Sequence, residues 1–237
     1  MKKFLIGLIL VSTSTWADIS KECPQFIAGT TPQYTAGAGD QEICHQNYAV
    51  IHRCSVKAPL AVFEHLTKEN LTGPAKRKNN FKPDPKVSKE CSATLEDYAT
   101  VGSTHDRGHM APAANNTTND EIMSESFYLS NMQPQIANNN RGAWRLLELQ
   151  ERKWALEPGT DYYVVSGGIW DDGYKTTGNG LGIPTRLYKV IYEKNSNKVR
   201  AYLMPNAPIR PATDWPKYET TLEEVEKAAG ITFRIGK

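Results

Sequence analysis

Residues Asp106 to His109 place an arginine and a histidine two positions apart, on either side of a glycine. Histidine has the unperturbed pKa nearest neutral pH, which suits it to take a proton from water as a general base. Arginine keeps its charge and binds phosphate oxygens through its guanidinium group. Gly108 would let the backbone turn tightly between the two. The segment indicates phosphate-ester hydrolysis, although by itself a histidine beside an arginine is more often a surface or packing feature.

A second group of polar residues follows about thirty positions later, at the start of a predicted helix. The amide oxygen of Asn140 is a hard neutral ligand of the kind that Mg²⁺ prefers. Glu148 lies eight residues further on, about two turns away, so both side chains point to nearly the same face. Arg152 follows four residues later and can share that face or pair with Glu148. The alternative is an asparagine cap and a solvated Glu–Arg pair, which this segment alone favours.

Taken together, the two groups resemble the DNA/RNA non-specific endonucleases, a family of sugar-non-specific nucleases with a ββα-metal active site. The most specific parts of the resemblance are the D-R-G-H and N-x-x-x-W-x-x-x-E patterns. Matching segments occur in the family's order at 77–84, 97–98, 106–109, 127–135, 139–148, 164–168, 183–190 and 222–233. The resemblance therefore covers most of the chain, from Arg77 to the C-terminus, and leaves out the cysteine-bearing N-terminal part.

The resemblance implies a catalytic role for each residue of the two groups. His109 is implied to be the general base, with Arg107 beside it on the phosphate. Asn140 is implied to be the only direct protein ligand of a catalytic Mg²⁺, for which Mn²⁺ or another divalent cation can substitute. Glu148 is implied to orient the waters of that metal, and Arg152 to steady the charge of the phosphate.

The resemblance also implies substrate contacts and structural support. Arg77, with Lys76 and Lys78 as neighbouring candidates, matches a basic residue that contacts the substrate phosphate. Asp106 and Asn131 are implied to hold the site in shape. The implied substrates are DNA and RNA, single- or double-stranded, with little sequence preference because phosphates rather than base edges are read. The implied products carry 5′-phosphate and 3′-hydroxyl ends.

The elements that must position these residues mix helices and strands without regular alternation. This pattern predicts an α+β domain with a mostly antiparallel central sheet flanked by helices. Strands are predicted at 48–51, 161–168, 185–192 and 199–204, and helices at 60–71, 143–156 and 221–229. Irregular or connecting structure is predicted at 18–45, 73–90, 119–125 and 171–183. The predicted division is a leader at 1–17, a cysteine-bearing region at 18–72 packed on the main domain, and an endonuclease domain at 73–237.

The first 17 residues have the pattern of a secretory signal peptide. Lys2 and Lys3 precede a short apolar run, and small residues lead to a cleavage position after Ala17. The run is well short of the roughly 20 residues that span a bilayer. An exported protein, periplasmic or secreted and free of the membrane after cleavage, is therefore expected.

Cysteines occur at four positions of the mature chain, all in its first third. In an exported protein this number predicts two disulfides, with three possible connectivities. The pairing favoured here is Cys44–Cys54 with Cys23–Cys91. These bridges would stabilise a loop-rich N-terminal region rather than form the active site.

The composition of the 237 residues, 39% hydrophobic and 23% charged, excludes a disordered chain. The formal net charge is +2, and loss of the leader's two lysines leaves 26 basic and 26 acidic residues. Nucleic-acid binding would therefore come from locally concentrated charge, at 76–89 and at the arginines of the site. A catalytically silent nucleic-acid-binding protein and a small-molecule phosphodiesterase stay open as alternatives. The presence of His109, Asn140 and Glu148 argues against the silent protein.

Overall fold

The computed structural model describes residues 18–236, so the predicted leader lies outside the described residues. The strands are β1 (Gln33–Tyr34), β2 (Gln41–Cys44), β3 (Ala49–Arg53), β4 (Ala58–Leu66), β5 (His105–His109), β6 (Met132–Ile136), β7 (Tyr162–Ile169), β8 (Thr176–Thr177), β9 (Leu181–Gly182), β10 (Arg186–Glu193), β11 (Lys198–Pro205), β12 (Glu219–Thr220) and β13 (Ile231–Thr232). The α-helices are α1 (Ile19–Glu22), α2 (Lys68–Thr72), α3 (Leu95–Ala99), α4 (Asp120–Glu125), α5 (Ala137–Asn139), α6 (Arg145–Ala155) and α7 (Leu222–Ala229).

A seven-stranded sheet forms the centre of the fold, in the order β12-β11-β10-β7-β4-β3-β2. Every neighbouring pair in it is antiparallel. Successive residues of a strand point to opposite faces, and both faces are buried. Val62 belongs to the core that contains Trp144 of the helical segment before α6, whereas Phe63 belongs to the core that contains Val225 of α7. The predicted α+β class with a mostly antiparallel, helix-flanked sheet is confirmed.

Most of the predicted elements are present near their predicted bounds. The predicted strands correspond to β3, β7, β10 and β11, and the predicted helices at 143–156 and 221–229 correspond to α6 and α7. The last helix begins where the Thr221 side chain accepts the N–H of Glu224, and it ends at Gly230 with a φ of 66°. A left-handed residue at this position is the usual reason for glycine after a helix.

The predicted helix at 60–71 is wrong. Residues 58–66 form β4, and only Lys68–Thr72 is helical. The i, i+3 spacing of Leu60, Phe63 and Leu66 is compatible with a helix, but residues 58–63 form an unbroken apolar run. Such a continuous run is typical of a strand buried on both faces, and β4 lies between β3 and β7 in the sheet.

Two of the predicted irregular stretches contain regular structure. Residues 120–125 form α4, because the Asn119 side chain accepts the N–H groups of Glu121 and Ile122 and so caps a helix. Residues 18–45 include α1, β1 and β2. The stretch at 73–90 has no helix or strand, as predicted, but it is tied down by the buried Asp84, which bonds His45 at 2.9 Å.

A two-stranded β5–β6 ribbon and the helix that follows it form the predicted ββα unit. His109 lies opposite Met132 in the antiparallel register. A π-helical segment, Asn140–Trp144, joins α5 to α6 in one continuous helix. Gly108 lies in the strand rather than at a tight turn. It is required because a Cβ there would lie 2.1 Å from Gln135 Oε1, a buried side chain of β6.

The predicted number of disulfides, two, is confirmed, but the predicted pairing is wrong. The bonds join Cys23 to Cys44 and Cys54 to Cys91. Cys44 and Cys54 lie at opposite ends of the β2–β3 hairpin, because Cys44 is opposite Ala49 whereas Gln41 is opposite His52. Cys54 follows β3, five residues after the Ala49 that lies opposite Cys44, so more than about 10 Å separates the two cysteines, which exceeds the roughly 7 Å that a disulfide can bridge.

The predicted boundary at residue 72 stays a prediction. Strands on both sides of it belong to one sheet, because β4 pairs directly with β7. Within residues 18–236, no helix has the length and apolar character needed to cross a membrane.

Candidate active site

The β5 strand and the long helix line an open cleft together with residues from the 73–90 loop. One cavity in this cleft has a volume of about 350 Å³. It is lined by Arg77, Arg107, His109, Pro112, Ala113, Ala114, Asn140, Arg141, Arg145, Glu148, Leu149 and Arg152. An adjoining cavity of about 560 Å³ shares Arg77, Arg107, Asn140 and Arg141 with it. The fold thus brings the implied base, metal ligand and phosphate-binding arginines into one space.

His109 is enclosed by aromatic rings at the end of β5, with only 7% of its surface exposed. Phe81 and Phe127 meet the imidazole edge-on, with centroid distances of 5.7 and 5.0 Å. The buried Nε2 atom has no hydrogen-bond partner within residues 18–236. Burial, reinforced by the charges of Arg77 and Arg107, lowers the pKa of His109 from 6.5 to about 3. The imidazole is therefore neutral at neutral pH, the form that accepts a proton.

Two arginines flank the histidine, each lying over one of its aromatic neighbours. The Arg77 guanidinium carbon is 5.0 Å from the centre of the Phe127 ring, and that of Arg107 is 4.3 Å from the centre of the Phe81 ring. Each contact of this kind contributes roughly 0.5–2 kcal/mol. Both side chains line both cavities. An anion bound in the cleft would therefore contact two guanidinium groups, fixed in position beside the neutral imidazole of His109.

Asp106 fixes the amide of Asn140, which begins the π-helical segment. Asn140 Nδ2 donates to Asp106 Oδ2 at 2.7 Å, and Oδ1 accepts no hydrogen bond from the described residues. Arg141 donates to both oxygens of the same carboxylate, at 2.6 and 2.9 Å. Burial raises the pKa of Asp106, but hydrogen bonds from Arg141 and Asn140 outweigh it and hold that pKa below its usual value. The ionised carboxylate thus leaves the amide oxygen free at the cleft.

Glu148 lines the same cavity from α6. Burial, its largest influence, raises the pKa of Glu148 to about 7. The charges of Lys189 and Arg152 oppose this rise, and the charge of Glu151 adds to it. Near neutral pH this carboxyl group is therefore poised between its two protonation states, and a cation in the cleft would favour the carboxylate.

Arg152 enters the cavity one turn beyond Glu148. Its Nη1 donates to Asn115 Oδ1 at 3.1 Å, so the partner of the guanidinium is an asparagine amide rather than the Glu148 carboxylate. Asn115 lies in the short helical turn that follows β5 and is fully buried. The Arg152 guanidinium is therefore held in place by a buried side chain that does not line the cavity.

Three of the implied site residues line neither cavity: Lys76, Lys78 and Asn131. Lys78 pairs with Asp120 at 2.7 Å. Asn131 is fully buried, accepts the Ala111 N–H at 2.8 Å, and donates to the carbonyl oxygens of Ala111 and Ser126 at 2.9 Å. These contacts hold the turn that follows His109, and the supporting role that the resemblance implies for Asn131 stays a prediction.

The structure adds residues that sequence reasoning missed. Phe81 and Phe127 enclose His109, Arg141 clamps Asp106, and Asn115 holds Arg152. The first three lie inside motif segments, so their position in the sequence was a usable signal. Asn115 carried no local signal, because its contacts come from distant parts of the chain.

Comparison with known protein families identifies the family to which this chain belongs. The sequence profile described as DNA/RNA non-specific endonuclease matches residues 28–237. The protein belongs to this family, and the resemblance drawn from its motifs is confirmed. The match begins well before Arg77 and includes the cysteine-bearing part of the chain.

Curated relatives and a solved structure agree with this assignment. Mitochondrial nuclease EXOG of Mus musculus is 36% identical over 214 residues, covering 83% of this chain and 57% of that protein. Mitochondrial endonuclease G of Homo sapiens is 32% identical over 203 residues, covering 79% of this chain and 67% of that protein. A crystal structure of an EndoG/EndoGI complex contains a chain with a TM-score of 0.76 and 29% identity, covering 95% of this chain and 94% of that one. The chain spans just over half the length of the EXOG relatives.

Proposed function

We propose that this protein is an exported, Mg²⁺-dependent endonuclease that hydrolyses phosphodiester bonds of DNA and RNA with little sequence preference. The observation that carries the proposal is the neutral His109, which has an unpartnered ring nitrogen and lies in a cleft lined by arginines and by the free amide oxygen of Asn140. Family membership supports the same reaction class.

The residues of the cleft fit a divalent cation. Asn140 offers a hard amide oxygen that accepts no hydrogen bond from the described residues, and Glu148 offers a carboxyl group in the same cavity. Within residues 18–236, no cluster of three or more His, Cys, Asp or Glu side chains is arranged to hold a metal. A site with one amide oxygen and one carboxyl group suits Mg²⁺, which keeps several of its waters and binds substrate phosphate. When bound, the cation supplies Lewis-acid stabilisation of the phosphate charge.

The side chains of the cleft supply the remaining chemistry. Neutral His109 takes a proton from a water molecule as that water attacks the phosphorus atom. The bond between phosphorus and the 3′ oxygen breaks, and the departing oxygen takes up a proton from solvent water, which leaves a 5′-phosphate on one product and a 3′-hydroxyl on the other. Arg77, Arg107 and Arg152 oppose the negative charge that accumulates on the phosphate oxygens.

The proposed substrate range follows from the groups of the nucleic acid that take part in the reaction or are contacted by the protein. Attack by external water does not use the ribose 2′-hydroxyl, so RNA and DNA are both substrates. Guanidinium groups that bind phosphate carry little base information, so single or double strands of any sequence can enter the open cleft. The leader pattern at residues 1–17, outside the described part, and the two disulfides support export to an oxidising compartment.

Incubation of supercoiled plasmid and of structured RNA with the purified protein tests this proposal. Cleavage of both polymers is expected with Mg²⁺ and none with excess EDTA. His109→Ala should lose both activities and keep its fold. His65→Ala is the matched control, because His65 pairs with Asp161 beside β7 and lines neither cavity of the cleft. Product ends are identified by kinase labelling, which should need prior phosphatase treatment if the ends carry 5′-phosphate.

Two outcomes would replace the proposal. Binding of both polymers with no cleavage at any metal concentration would favour a silent binding protein. Hydrolysis of bis(p-nitrophenyl) phosphate without cleavage of either polymer would favour a phosphodiesterase for small molecules.

A further inference from the structure

A cluster of buried polar side chains lies behind the cleft, and the chemistry described so far does not use it. Its members are Glu64, Asn115, Glu151 and Lys189, with exposed fractions of 2, 0, 0 and 0%. They come from β4, the turn after β5, α6 and β10, so the cluster connects the central sheet to the long helix. Buried charges are costly unless each has a partner, which makes the pairing within the cluster informative.

Asn115 is the hub of this cluster. Its Nδ2 donates to Glu64 Oε1 at 3.2 Å and to Glu151 Oε1 at 3.3 Å. Its Oδ1 accepts from Arg152 Nη1 at 3.1 Å. The second oxygen of Glu151 lies 3.0 Å from Lys189 Nζ, which supplies a compensating positive charge.

The two carboxyl groups determine which way the amide faces. Their oxygens accept hydrogen bonds, so the amide NH₂ turns toward Glu64 and Glu151 and the amide oxygen turns toward Arg152. A flipped amide would set its NH₂ group against the guanidinium, which only donates, and its oxygen against the oxygen of Glu151, a carboxyl group that lies beside Lys189. The buried acids thus present one correctly oriented acceptor to the arginine.

We propose that Asn115 is a positioning residue, held by Glu64 and Glu151, that fixes the Arg152 guanidinium toward the substrate phosphate. The inference rests on the proposed function, because Arg152 acts only if a phosphate enters the cleft. Arg152 lines the cavity together with His109 and Glu148, so the tether from Asn115 sets where its charge stands relative to the base. A long surface arginine without this tether would sample many rotamers and lose entropy on binding substrate.

A double-mutant cycle tests the inference. Arg152→Ala should lower kcat/KM for DNA about a hundredfold. Asn115→Ala should lower it about tenfold in the wild-type background. In the Arg152→Ala background the same change should alter kcat/KM by less than about twofold, because its effect passes through the arginine. Equal losses in both backgrounds would overturn the inference and assign Asn115 a purely structural role.

Asn116→Ala provides a matched control. Asn116 is equally buried and adjacent in sequence, but its amide bonds Asn47 and the Pro112 carbonyl, and it lines neither cavity of the cleft. Its replacement should leave kcat/KM within about twofold of wild type at temperatures where the variant is folded. A tenfold loss in this control would also overturn the inference, because general loosening would then explain both results.

A measurement on the unaltered protein covers the case in which Asn115→Ala does not fold. In NMR spectra of the wild-type protein, a tethered Arg152 guanidinium should give resolved Nη resonances with slow rotation. A single averaged Nη signal would overturn the inference without any variant. This readout also separates the two proposals, because it does not require the protein to cleave nucleic acid.

Discussion

Asn140 Nδ2 donates to Asp106 Oδ2 at 2.7 Å, a hydrogen bond between the first residue of the π-helical segment and the second residue of β5. The bond fixes the amide because a carboxylate accepts only the NH₂ side of the group. The orientation of the candidate metal ligand is therefore set by a neighbour that need not touch the metal.

Removing that neighbour should weaken metal binding more than it weakens the fold. Asp106→Ala is expected to raise the Mg²⁺ concentration for half-maximal activity by about 10–100-fold, since the amide becomes free to rotate. Activity should recover partly at high Mg²⁺. Asp120→Ala serves as the control, because Asp120 is an exposed acid whose one ion pair among residues 18–236 is with Lys78, outside the cleft. An unchanged Mg²⁺ dependence in Asp106→Ala would show that Asp106 does not act on the ligand.

The low pKa of His109 has a consequence for acid stability. The unfolded chain takes up a proton at this histidine below pH 6.5, whereas the folded protein does so only near pH 3. The neutral histidine therefore costs no stability above pH 6.5, and folding becomes progressively less favourable as pH falls from 6.5 toward 3. Relative to His109→Asn, the wild type should lose free energy of unfolding across this range. Parallel stability curves for the two proteins between pH 7 and pH 4 would contradict the low pKa.

The aromatic enclosure of His109 should matter for rate. Phe81→Leu removes the ring beneath Arg107 and one edge-on neighbour of the imidazole, and it should lower kcat/KM about tenfold. The histidine should also titrate at a higher pH, because water gains access to it. Phe233→Leu is a suitable comparison, since it removes a buried ring on the opposite face of the sheet. That variant should lose stability but keep its kcat/KM, and an equal activity loss in both would refute a specific role for Phe81.

The two disulfides should stabilise unequally. Loop-closure entropy gives about 4 kcal/mol for Cys54–Cys91 and about 3 kcal/mol for Cys23–Cys44, whose sequence separations are 37 and 21. Denaturant unfolding of the paired serine variants measures both contributions. Non-reducing peptide mapping checks the pairing itself, and a Cys44–Cys54 peptide would contradict the fold.

Glu193 should make stability depend on pH in acid. Hydrogen bonds, led by those from Ser196, lower the pKa of Glu193 to about 2. Its stabilising effect is complete above the unfolded value of about 4.3 and disappears as pH falls toward 2. Glu193→Gln should therefore be less stable than wild type at pH 7 and equally stable near pH 2. The exposed Glu157→Gln should match wild type at both values, and a constant deficit in Glu193→Gln would argue against the low pKa.

The grouping of the candidate site residues was predictable because its signals are local. His109 and Arg107 share a strand, and Asn140 and Glu148 share a helix, so spacing alone grouped each pair. The two groups were joined by the resemblance of several motif segments, not by composition or periodicity.

What the sequence did not predict depends on contacts between distant segments. The sequence of β4 predicts a helix, because an apolar run is compatible with both periodicities until its neighbours in the sheet are known. The cysteine pairing required the β2–β3 register, which spacing does not specify. Likewise, the tether of Arg152 to Asn115 depends on acids from β4 and α6 meeting behind the cleft.

The π-helical segment Asn140–Trp144 sets the angle between the two oxygen donors of the site. In a regular α-helix each residue advances by about 100°, so eight residues would leave Asn140 and Glu148 about 80° apart around the axis. A π turn contains more residues than an α turn, so each residue within it rotates by less. Five residues of this kind cancel much of the excess, and both side chains reach the same cavity. The unusual winding therefore acts as a rotational correction: it lets a spacing of eight residues give nearly the alignment that a spacing of seven gives in a regular α-helix, about 20° short of two turns.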